Sequence, residues 1–145
     1  MRYKVVVGVD GSEHGDAALR WALAEAEAHD GEVTAVFAWQ MPFVSNPGAF
    51  DRAELERDGK DFLVNRVSSV APSPRVPLTP LVAEGDPAEA LVLASKDANL
   101  LVVGSRGRSR LMGALLGAVS LRCAAGAQCP VTLIKLPDEE AHASA

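Results

Sequence analysis

The chain alternates between two hydrophobic periods along its length, and that alternation constrains the fold more than any other feature. Residues 4 to 9 (KVVVGV) are a near-continuous apolar run of strand length, and residues 13 to 29 then carry Leu19, Ala22, Leu23 and Ala26 at helical spacing. The pair recurs. Residues 32 to 39 (EVTAVFAW) predict a strand, and 51 to 70 predict a helix with Leu63, Val67 and Val70 on one face. Residues 76 to 83 (VPLTPLVA) predict a third strand, and 87 to 96 a helix presenting Ala88, Leu91, Val92 and Ser95. Residues 99 to 104 (NLLVVG) read as strand, a helix follows near 117 to 127, and 130 to 136 (PVTLIKL) is the last strand. Runs that stay apolar without alternating belong to strands buried on both faces. The expected class is therefore α/β, an open, mostly parallel sheet with helices on both sides.

Five strands and four helices use residues 1 to 136, which predicts a single domain and leaves 137 to 145 (PDEEAHASA) as a flexible polar tail. A domain of this size buries about 70% of the surface its unfolded chain exposes, so it needs neither metal nor disulfide to fold. Cys123 and Cys129 lie outside any CxxC pattern and read as core thiols. A formal net charge of −5 argues against nucleic acid as the partner. No apolar stretch approaches the ~18 residues of a membrane span, and no apolar leader follows Met1, so the expected location is the cytoplasm.

The two expected sheet edges differ. Pro77 and Pro80 cannot donate ladder hydrogen bonds, which suits an edge blunted against further pairing. Strand 130 to 136 has a proline only at its start, and at an edge it would invite a second copy of the chain. The expectation is a homodimer built on that strand.

Ligands of open parallel sheets sit at the carboxyl ends of the strands, where the topology reverses. Two segments leave such ends: GVDGS, with Gly8, Val9 and Asp10, and VVGSRGRSRLMGALLGAVS at 102 to 120. In the second, Gly104, Gly107 and Gly117 are spaced G-x2-G-x9-G, and the last opens a helix whose amides and dipole suit an anion. Between residues 98 and 134 the only formal charges are Arg106, Arg108, Arg110 and Arg122. A polyphosphate is the counter-ion this pattern fits. Neither GxxxxGK[ST] nor a GxGxxG after the first strand occurs, so the nucleotide loop must be of another kind. Residues 40 to 50 (QMPFVSNPGAF), with two prolines and a glycine, form a longer connection able to cover a site.

These segments, with VVVGVDGSEHGDAALRWA at the start, VAEGDPAEALVLAS in the middle and CPVTLIK near the end, resemble the universal stress protein family across essentially the whole chain. The resemblance is to that family's nucleotide-binding branch. It implies a five-stranded parallel sheet of order 3-2-1-4-5, a Rossmann-like arrangement of the adenine nucleotide alpha hydrolase kind. It also implies ATP, ADP or AMP at the switch point, with Mg2+ as the accompanying cation, and pairing through the last strand. The function implied is a nucleotide-dependent regulatory or stress-response module acting on an unknown protein partner. Asp10 resembles the aspartate near the adenosine moiety; helix capping is its alternative role, and the ligand role is favoured because Ser12 could cap instead. Ala38 resembles the position whose backbone reads adenine. Val103, Gly104, Arg106 and Gly107 match the segment that follows ribose and phosphates, and Gly117, Ala118, Val119 and Ser120 match the start of the last helix.

One position departs from the family pattern, because Ala118 stands where Ser or Thr follows the third glycine. Losing that hydroxyl removes a hydrogen bond to phosphate of about 1.5 to 3 kcal/mol unless Ser109, Ser120 or an arginine replaces it. A slow ATP hydrolase or nucleotidyl transferase, and a dimeric module that binds no nucleotide, are the competing functions. His14, His29 and His142 lack partners at metal or catalytic spacing, and Trp21 and Trp39 read as core or interface residues. No catalytic residue and no metal site is expected.

Overall fold

The computed structural model describes residues 2–41, 48, 50–107 and 116–137. Most of the connection expected over 40 to 50, the loop residues Arg108, Ser109 and Arg110, and the tail from 138 onward lie outside the described residues. Nine elements alternate along the chain: β1 (Lys4–Gly8), α1 (Glu13–Ala28), β2 (Glu32–Trp39), α2 (Arg52–Val70), β3 (Leu78–Glu84), α3 (Pro87–Ala94), β4 (Leu100–Gly104), α4 (Ala118–Gly126) and β5 (Val131–Ile134). The strands form one sheet of order β3-β2-β1-β4-β5. Every neighbouring pair is parallel.

The apolar runs explain the layering. Val5, Val7, Leu100 and Val102 face one side with Leu19 and Ala22 of α1 and Leu63 and Val67 of α2. Val6, Leu101 and Val103 face the other, with Ala88 and Leu91 of α3 and Cys123 of α4. Strands β1 and β4 are thus enclosed on both faces, and each fully buried side chain such as Leu101 stabilises by about 1.5 to 3 kcal/mol. Cys123 lies in this second core, where burial pushes its thiol up to about 11. Trp21, expected in a core or at an interface, is exposed on α1 and so does not belong to the core.

Helices α1, α2 and α3 start at side-chain caps. Ser12 Oγ accepts from Gly15 N at 3.0 Å to begin α1. Asp86 Oδ2 accepts from Glu89 N at 3.0 Å, with Pro87 in the first turn of α3. Strands β3 and β5 begin just after Pro77 and Pro130, each of which lends a carbonyl, accepting from Val33 N at 2.9 Å and Leu101 N at 3.0 Å, and β5 ends at Ile134. Both strands lie at sheet edges. No helix among the described residues is long and apolar enough to cross a membrane.

Candidate functional site

Strand β1 lies between β2 and β4, and the chain leaves it toward β2 through α1, so the direction of winding reverses at the carboxyl ends of β1 and β4. A crevice opens there by topology alone. One wall is the turn from β1 into α1. Gly11 adopts φ 85°, a left-handed conformation that glycine reaches without strain. Asp10 Oδ1 accepts from Ser12 N at 3.0 Å and from Ser12 Oγ at 2.5 Å. Ser12, not Asp10, caps α1. Asp10 orients that cap with one oxygen and turns the other toward Gly107, where a Cβ would lie 2.8 Å from Oδ2.

The opposite wall is the exit of β4. A Cβ on Gly104 would lie 2.7 Å from the His14 Cβ and 2.9 Å from its backbone carbon, so the strand end rests directly on the first turn of α1. Beyond it, Ser105 N donates to the Ile134 carbonyl at 2.8 Å, and Gly117 N donates to the Ser105 carbonyl at 2.7 Å. The buried Ser120 hydroxyl lies 2.9 Å from the carbonyls of both Ser105 and Gly117. These bonds tie the outgoing and incoming arms of the glycine-rich loop into one base. The first-turn amides of Ala118, Val119 and Ser120 have no acceptor within their helix, and Gly117 supplies no capping side chain.

Three sequence expectations change here. The Ser120 hydroxyl is bonded inward, so it does not replace the hydroxyl that Ala118 lacks. The Gly117 amide is likewise taken by Ser105. Arg122 donates to Asp86 at 2.8 Å and joins α4 to α3, rather than serving an anion in the crevice. That pairing holds the Asp86 carboxyl below its ordinary range and raises Arg122.

The walls enclose a cleft of about 490 Å³. Gly8, Val9, Asp10, Ala38, Val103, Gly104, Arg106, Gly107, Gly117, Ala118, Val119 and Ser120, the residues singled out from sequence, all line it. Phe37, Trp39, Gln40, Pro87 and Leu91 line it as well, although their sequence pattern assigned Trp39 to core or interface and Leu91 to a helix face. Leu91 packs so close to Gly8 that a Cβ there would meet its Cδ1 at 3.0 Å. Apolar walls from Val36, Ala38, Leu91 and Val103 meet a polar end formed by Asp10, Arg106 and the first turn of α4. Such a cleft can take a flat apolar ring along its wall and an anion at its polar end.

The sequence profile of the universal stress protein family matches residues 1–135. A universal stress protein of Mycobacterium tuberculosis is 34% identical over 132 residues, which cover 90% of this chain and 44% of that protein. One from Methanocaldococcus jannaschii is 33% identical over 144 residues, covering 94% of this chain and 84% of that protein. A solved universal stress protein in complex with cAMP is 27% identical, with a TM-score of 0.62, and the match covers 92% of this chain and 97% of that one. The chain spans about half the length of the mycobacterial relatives it matches.

Proposed function

This chain belongs to the universal stress protein family, and we propose that it is a regulatory module that binds ATP or another adenine nucleotide across the carboxyl ends of β1 and β4. The observation that carries the reading is the convergence of the glycine loop, Asp10 and Ala38 on a single cleft. The base lies against Ala38 and the apolar wall. The ribose hydroxyls donate to Asp10 Oδ2, and a phosphate meets the first-turn amides of α4 with Arg106 beside it. The cAMP held by the solved relative belongs to the same ligand class. Gly104 and Gly107 suit this role because a side chain at either would close the approach between the two walls. Turnover is not part of the proposal, since Asp10 is the one carboxylate lining the cleft among the described residues. Two copies pair through β5, which leaves an unblunted edge.

The test is to purify the protein without added nucleotide, denature it and identify any released small molecule by chromatography. Calorimetric titration with ATP, ADP and AMP follows. Binding of at least one adenylate in the micromolar range is expected. Indifference to all three overturns the reading.

A further inference from the structure

We infer that Phe62 and Arg66 of α2, neither of which lines the cleft, are positioning residues for adenylate binding that lock the β1–α1 turn and so aim Asp10. The inference rests on the adenylate reading of the cleft. The Phe62 ring is seated on the turn itself, since a Cβ on Gly11 would lie 2.9 Å from its Cζ. The same ring packs against Phe37 with centroids 4.7 Å apart and planes inclined by 48°. Phe37 lines the cleft, so Phe62 supports the site from behind on two walls.

One helical turn further along α2, Arg66 Nε and Nη2 donate to Asp16 Oδ1 and Oδ2 at 2.8 and 2.5 Å. Asp16 is buried in the first turn of α1, and its amide donates to the Ser12 carbonyl at 3.0 Å. Ser12 is in turn held by Asp10. A continuous series of polar contacts therefore runs from Arg66 through Asp16 and Ser12 to Asp10. The Asp16 bond, and more weakly the Asp10 charge, raise the Arg66 guanidinium above its ordinary value. Little net stability comes from burying a carboxylate at this point, because its desolvation offsets most of the attraction. A two-pronged pair does fix geometry. What it fixes here is the orientation of the first turn of α1 against α2.

The experiment titrates AMP into the wild-type chain, Arg66→Met, Arg66→Lys, Asp10→Ala and the Asp10→Ala/Arg66→Met double variant. Hydrogen exchange at amides 12 to 16 is followed in the ligand-free proteins. Arg66→Met is expected to weaken AMP on the order of tenfold, as loss of a supporting shell does. Arg66→Lys, which keeps the charge but not the fork, recovers part of that loss. In the Asp10→Ala background the Arg66 change costs little more, because residues acting through one another are non-additive. Exchange at 12 to 16 quickens while the rest of α1 is unchanged. If Arg66→Met does not fold, Asp16→Asn carries the same expectations. AMP binding equal to wild type, an undiminished loss in the Asp10→Ala background, or unchanged exchange overturns the inference alone. A wild-type chain that binds no adenylate overturns the reading of the cleft, and faster exchange at 12 to 16 in Arg66→Met then still supports the lock.

Discussion

At the scale of single residues, the cleft depends on side chains that are absent. Gly107 lets Asp10 Oδ2 approach, and the carboxylate cannot swing aside freely because its other oxygen holds Ser12 twice. Gly107→Ala is therefore expected to displace Asp10 and to weaken adenylate binding about as much as Asp10→Ala does, with the melting temperature nearly unchanged. Titration of both variants beside thermal unfolding checks this, and a Gly107→Ala protein with wild-type affinity would show that the carboxylate is not part of the site. Ala118 is the converse case. It is exposed at the start of α4, and the Ser120 hydroxyl that could compensate is bonded to main-chain carbonyls. Ala118→Ser is expected to raise ATP affinity by about tenfold, the lower end of a hydrogen bond to a charged group, and AMP affinity by less. Paired titrations report the ratio, and an unchanged ratio would separate position 118 from the terminal phosphates.

At the scale of elements, Asp86 serves two helices at once. Its Oδ2 caps α3 and its Oδ1 accepts from Arg122 of α4. Asp86→Ala removes both, and the cap alone is worth about 1 kcal/mol. Arg122→Met removes only the ion pair. Because the folded Asp86 pKa lies below its ordinary 3.8, the ion pair's stabilisation is complete above that value and is lost as pH falls through the lowered one. The stability gap between wild type and Arg122→Met is thus expected to hold constant near neutrality and to close on acidification below 3.8, in urea unfolding repeated across that range. A gap that persists in acid would mean that Arg122 stabilises by packing rather than by charge. The pairing also shows why the sequence was only partly legible. Strands and helices could be read because β1 and β4 are apolar at every position that faces a core, and the glycine loops marked the strand ends. Arg122 and Asp86 are 36 positions apart, and Arg66 and Asp16 are 50 apart, so no local pattern joins them. Leu91 and Phe37 pack against a core and also line the cleft, and periodicity marks only the first of those roles.

At the scale of the whole molecule, the two sheet edges have opposite characters. On β3, Pro80 sits within the strand opposite Ala35 and has no amide to offer a further strand. On β5, the carbonyls of Pro130 and Ile134 both point to β4, accepting from Leu101 N and Ser105 N. Two-residue alternation then turns the polar groups of Val131 and Leu133 outward, where a second copy can pair with them. Leu133→Pro removes one outward amide and leaves the inward ladder intact. Some packing is lost as well, because Leu133 is half-buried against the second core, and Leu133→Ala controls for that loss while keeping the amide. The expected outcome in light scattering at tens of micromolar, a range in which stable edge pairs persist, is a dimer for wild type and Leu133→Ala and a monomer for Leu133→Pro. Adenylate affinity is expected to survive in the monomer, because none of the β5 residues Val131–Ile134 lines the cleft. A monomeric wild type, or a proline variant that still pairs, would place any self-association elsewhere than β5. A monomer that loses adenylate binding while it keeps its fold would instead mean that the second copy completes the site.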